Sequence, residues 1–116
     1  MSRTLAALVA MIAFGSVAAV AHHGWGSYDA AKKFVIEAPV DSVRWENPHV
    51  HLMLQYDGAS WMIILAPISR MQNRGLAPDM LVSGTPVSVE GYPSTRTSNE
   101  MRAERITVAG TTFELR

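Results

Sequence analysis

The residues best equipped for chemistry are four histidines in two pairs, His22-His23 and His49-x-His51. The first pair follows Ala19-Val20-Ala21, a small-residue run of the kind a signal peptidase cuts. Cleavage there would leave His22 first in the mature chain, where a free amine and an imidazole on one residue can close a chelate ring around a metal. Slippage by one residue would leave Ala21 first and His23 third, which favours a square-planar site using backbone amides. The second pair stands on a strand-like alternation. At about 3.3 Å per residue, His49 and His51 lie roughly 6–7 Å apart on one side of that strand, a spacing at which two imidazoles can share one ion.

Histidines on a polar strand face are more often solvated or hydrogen-bonded than metal-bound, and chain ends are commonly unordered. The combination is what favours a metal. An amine, terminal imidazoles and a strand histidine form a nitrogen-rich set suited to Cu(II), Ni(II) or Zn(II). Copper leads, as a histidine brace in which His22 binds through amine and ring and His49 completes the set, with His51 next in line. The chain has no cysteine, so a blue-copper electron-transfer centre is excluded. Met53, Met62, Met71, Met80 and Met101 are scattered and read as core filler, Met53 excepted because it shares the face of His49 and His51. No nucleophile with a neighbouring base and no Gly-rich phosphate loop stands out. Asp41 and Glu46 read as the solvated rim of a bend. No catalytic residue is assigned, and the chain reads as a carrier rather than an enzyme.

The elements that must position these groups begin with an export signal. Arg3 supplies a positive start, Leu5 to Phe14 an apolar stretch and Gly15 to Ala21 a small-residue run. The apolar stretch has about half the ~20 residues of a spanning helix. Residues 1–21 are therefore expected to be a cleaved signal peptide and residues 22–116 one periplasmic or secreted domain without stable membrane insertion. Removing the first 21 of 116 residues leaves 95, with nine basic and ten acidic side chains. That balance argues against nucleic acid, which wants clustered Lys and Arg. With no cysteine, neither a lipoprotein anchor nor a disulfide framework is expected.

Short strands dominate the rest. Phe34, Ile36, Ala38 and Val40 alternate, and the apolar phase then slips to Val43 and Trp45, which predicts a bulge or bend. After Asn47-Pro48, residues Val50, Leu52, Leu54 and Tyr56 take one face and His49, His51, Met53 and Gln55 the other. Asp57-Gly58 predicts a hairpin turn. Trp61 to Leu65 is apolar throughout and predicts a strand buried on both faces. Pro67 to Arg74, ended by Gly75, predicts a two-turn helix. Val87 and Val89 mark a fourth strand, Ser94 to Asn99 a polar loop, Met101 to Val108 a fifth strand, and Phe113 with Leu115 a short tail strand. Three strands, a helix and two strands, the first of them bent, is the order of an OB-like five-stranded barrel, with an SH3-like or open antiparallel sheet as the alternative.

One set of motifs also carries a resemblance. His22-His23-Gly24-Trp25 with Tyr28-Asp29, the element Trp45-Glu46-Asn47-Pro48-His49, Trp61, a helix ending in Gly75 and Val87-Ser88-Val89-Glu90-Gly91 resemble a family of small exported proteobacterial proteins of unknown function. The resemblance covers nearly the whole mature chain and implies export and fold more than chemistry. Its positions here are His22, His23, Asp29, Asn47, Pro48 and His49. Asp29, Asn47 and Trp45 are the residues expected to surround and orient the metal ligands, although for Asp29 a turn-capping role is the stronger expectation. The expected partners are a metal ion and a periplasmic protein. The competing expectation is a non-catalytic module that binds a protein, peptide or saccharide on the face of strands two and three.

Overall fold

The computed structural model describes residues 24–116. A 3-10 turn at Trp25–Ser27 leads into β1 (Phe34–Arg44), β2 (His51–Tyr56) and β3 (Ala59–Ile64). A short helix α1 (Ile68–Asn73) and a second 3-10 turn (Pro78–Met80) follow, then β4 (Pro86–Pro93), β5 (Glu100–Val108) and β6 (Thr111–Glu114). Antiparallel ladders run β3-β2-β1-β4-β5-β6, and a parallel β3–β5 pairing closes the first five strands into a ring, with β6 outside it. This is the OB-like mixed barrel; the parallel seam is what an open sheet would lack. Among the described residues, no helix is long and apolar enough to cross a membrane.

The bend in β1 lies where the sequence phase slips. Val40 pairs with Leu54, but Ser42 pairs with Met53, so Asp41 is the extra residue of a bulge. The bulge lets one strand serve two neighbours, β4 through Phe34–Pro39 and β2 through Val40–Arg44. Asp57 and Gly58 both take positive φ, 51° and 75°, as a two-residue hairpin turn of the right twist requires. A second register shift separates Glu90 and Gly91 of β4 and lets β5 turn its inward set from Met101 and Ala103 to Ile106 and Val108.

Inward residues of every strand form one buried cluster, centred on Ile36, Val40, Leu52, Leu54, Ile63, Val89 and Ile106. Helix α1 contributes Met71, its one buried residue. Near that end Leu65, Ala66, Leu76 and Leu115 are also shut off from solvent. Expectation and structure part at β3. Ile63 is fully buried, but Met62 and Ile64 are only half-buried. Their face of the strand looks away from the barrel interior, so β3 is buried on one face, and Met62 is not core filler.

Candidate functional site

Pairing of β2 with β3 sets His51 opposite Ile64 and Met53 opposite Met62, and the parallel seam sets Ile64 beside Arg102 and Met62 beside Glu100. Paired residues share a face and successive residues alternate. Two rungs, His51–Ile64–Arg102 and Met53–Met62–Glu100, therefore cross the outside of the barrel, while Leu52–Ile63–Met101 between them points into the core. The outward rungs, Met53 excepted, floor a cleft of about 480 Å³. The β1–β2 loop, with Glu46, Asn47, Pro48 and His49, makes one wall. Ser27 and Tyr28 of the amino-terminal segment and Ser94, Arg96 and Thr97 of the β4–β5 loop make the rest.

The amino-terminal wall is firmly attached. Thr95 donates to the Ser27 carbonyl through both its amide, at 2.9 Å, and its hydroxyl, at 3.0 Å. Tyr28 forms a β-bridge with Ser94, and the Asp29 amide donates to the Pro93 carbonyl. The Trp25 ring meets Tyr92 edge-on at 6.0 Å and lies 4.6 Å from the guanidinium carbon of Arg102 and 4.5 Å from that of Arg116. Such cation–π contacts hold a ring by about 0.5–2 kcal/mol each.

Electrostatically the cleft is balanced, with carboxylates at Glu46 and Glu100 and guanidiniums at Arg96 and Arg102. The Tyr28 hydroxyl donates to Glu100 Oε2 at 2.8 Å. Burial, seconded by that hydrogen bond, pushes the Tyr28 phenol well above its ordinary range. Burial also pulls the Arg102 guanidinium below its ordinary value, and the nearby charges of Arg70 and Arg116 act in the same direction.

Of the expected ligands, His49 and His51 line this one cleft, both half-buried. His22 and His23 lie outside the described residues. Among the described residues, no group of three or more His, Cys, Asp or Glu gathers to hold an ion. A metal here would need a donor of another kind beside the two imidazoles. The three residues expected to orient the ligands have partners of their own. Asp29 Oδ1 accepts from the Ala31 amide at 3.0 Å, with Lys32 Nζ 3.9 Å from Oδ2, so it caps its own turn. Asn47 Oδ1 accepts from the Ile68 amide at 3.2 Å and ties the β1–β2 loop to the start of α1. Trp45 packs half-buried against the core. Met62, Tyr28, Glu100 and Arg102 were not legible as site residues. The alternation of β5 marks Glu100 and Arg102 as outward, but only the long-range β3–β5 seam brings them beneath the histidines.

No curated protein matches the sequence. The fold is similar to part of a solved structure, the ZRD-deleted mutant of TiaS in complex with agmatine, at a TM-score of 0.54 and 16% identity. The likeness covers 75% of this chain and 27% of that one, and at such identity it is a likeness of fold alone. A family model matches residues 9–103, and the chain belongs to that family, DUF6152, a family of unknown function.

Proposed function

We propose that this protein is an exported copper-binding protein of the periplasm, in which the mature amino-terminal His22 joins His49 and His51 at the barrel cleft. One observation carries the reading: His49 of the β1–β2 loop and His51 of β2 line a cleft whose wall includes Ser27 and Tyr28, of the segment that follows His22-His23. From Gly24, the first described residue, His22 lies two residues back, at most about 7 Å along an extended chain. Ser27, which lines the cleft, is five residues from His22, a reach of at most about 18 Å along an extended chain. The amine and imidazole of His22 would supply the extra donors that His49 and His51 lack. Copper fits this nitrogen set better than other divalent ions do, because affinity along the first-row series peaks at Cu(II). Zinc and nickel are the weaker alternatives.

The test is Cu(II) titration of the exported protein after its amino terminus has been read by intact mass. Wild type is expected to take up one equivalent with nitrogen hyperfine structure in its EPR spectrum. A His49→Ala, His51→Ala double variant is expected to bind at least about tenfold more weakly. Uptake unchanged in that variant would end the reading.

The size of the cleft favours a second reading. A volume of about 480 Å³ with the apolar side chains of Met62 and Ile64 on its floor falls within the ~300–1,000 Å³ of small-ligand sites. A non-catalytic module that seats a peptide or saccharide there takes over if copper uptake ignores the histidines.

A further inference from the structure

Met62 is the one thioether among the residues lining the cleft, and the nitrogen set leaves it unused. It stands half-buried on β3 among the lining residues, with Met53 directly opposite and His51 diagonal to it across the β2–β3 pair. Opposed Cβ atoms in such a pair lie about 4.5–5.5 Å apart and diagonal ones about 7–8 Å, within reach of long side chains. His49 lines the same cleft. Met71 and Met101, by contrast, are fully buried and do fill the core. One thioether and two imidazoles therefore line one cavity.

A thioether is a soft donor and selects Cu(I) over Cu(II), Zn(II) or Ni(II). Charge does not choose between Cu(I) and Cu(II): Arg96 and Arg102 repel a cation in the cleft while Glu46 and Glu100 attract it, so the preference comes from the thioether.

We infer that His49, His51 and Met62 hold a cuprous ion in this cleft, a mode that rests on the copper reading yet needs neither His22 nor His23. The ion enters already reduced, and no electron transfer is part of the site. The amine chelate and the thioether set then serve different oxidation states of one metal.

The experiment is competition for Cu(I), kept reduced with ascorbate, between the protein and a chromophoric Cu(I) chelator, alongside Cu(II) titration. Met62→Leu, close to isosteric, is expected to weaken Cu(I) binding at least about tenfold and leave Cu(II) binding within about twofold. A His22→Ala, His23→Ala variant is expected to do the reverse. Methyl-labelled methionine gives a readout on the unaltered protein: Ag(I), a Cu(I) mimic, is expected to shift the Met62 methyl resonance and leave those of Met71 and Met101 in place. Cu(I) bound as tightly by Met62→Leu, with a static Met62 resonance, would overturn this inference and leave the copper reading intact. Absence of binding in either oxidation state would overturn both.

Discussion

Tyr28 donates its hydroxyl hydrogen to Glu100 from a position almost closed to solvent, and so fixes a carboxylate beside Met62 on the cleft floor. Its phenol is raised above the ordinary value of 10.0, first by burial and then by Glu100. A group whose folded-state value is raised contributes stability that is fully present below the unfolded value and is lost as pH climbs through the folded one. The contribution of Tyr28 is therefore complete below about pH 10 and declines above it. Tyr28→Phe is expected to cost about 1.5–3 kcal/mol at pH 7, the range for a hydrogen bond to a charged group. Urea midpoints at pH 9 and pH 11 check the sign: wild type should lose more stability across that interval than Tyr28→Phe does. Parallel losses in the two proteins would show that Tyr28 is not the titrating group.

At the scale of elements, the β1–β2 loop owes its place to the Asn47 side chain, which reaches across to the first amide of α1. Helix α1 has six residues and no cap from its own Pro67, so this loan from another loop satisfies an otherwise open donor. Asn47→Ala is expected to lower stability by about 0.5–2 kcal/mol in urea denaturation, and Asn47→Asp, which keeps the acceptor, to lower it less. Gly91 is a harder constraint. A Cβ there would stand 2.0 Å from the Arg102 carbonyl oxygen and 2.8 Å from the Ala103 Cα, both backbone atoms of β5. Gly91→Ala is thus expected to destabilise by several kcal/mol or to prevent soluble expression, and a thermal unfolding curve within about 0.5 kcal/mol of wild type would contradict the contact. What the sequence made legible follows the same division. The bulge after Val40, the Asp57-Gly58 turn, the inward valines of β4 and the tail strand at Phe113 are local patterns, readable from period and turn chemistry. The partnership of β3 with β5 depends on residues about forty positions apart. No local pattern announces it, and so Met62 and Ile64 read as core when they are the floor of a cleft. His49 and His51 were found because the sequence puts them on one alternation, although only His51 falls within β2; Tyr28, Glu100 and Arg102 were missed because the amino-terminal segment and β5 reach the cleft only through long-range pairing.

For the whole molecule, the two ends of the described chain meet over β5. Trp25 near one end lies against both Arg102, near the start of β5, and Arg116 at the other. This contact holds the segment that leads back to His22 against the wall of the cleft that contains His49 and His51. Tethering of that kind acts through effective concentration: ligands on one chain bind as a unit only while their spacing is kept short. Trp25→Ala keeps every proposed copper donor and removes the ring that docks the segment. Under the copper reading it is therefore expected to weaken Cu(II) binding by about tenfold while leaving the EPR spectrum of the loaded protein unchanged, since the same atoms still bind. His22→Ala, which removes a donor, should change the spectrum itself. Under the cuprous inference, binding through His49, His51 and Met62 should be far less sensitive to Trp25. Circular dichroism at the working temperature establishes that the Trp25→Ala barrel is folded before the comparison is made. Cu(II) held as tightly by the folded variant as by wild type would mean that docking of the amino-terminal segment plays no part in the affinity, and the terminal histidine would then have to find the cleft unaided.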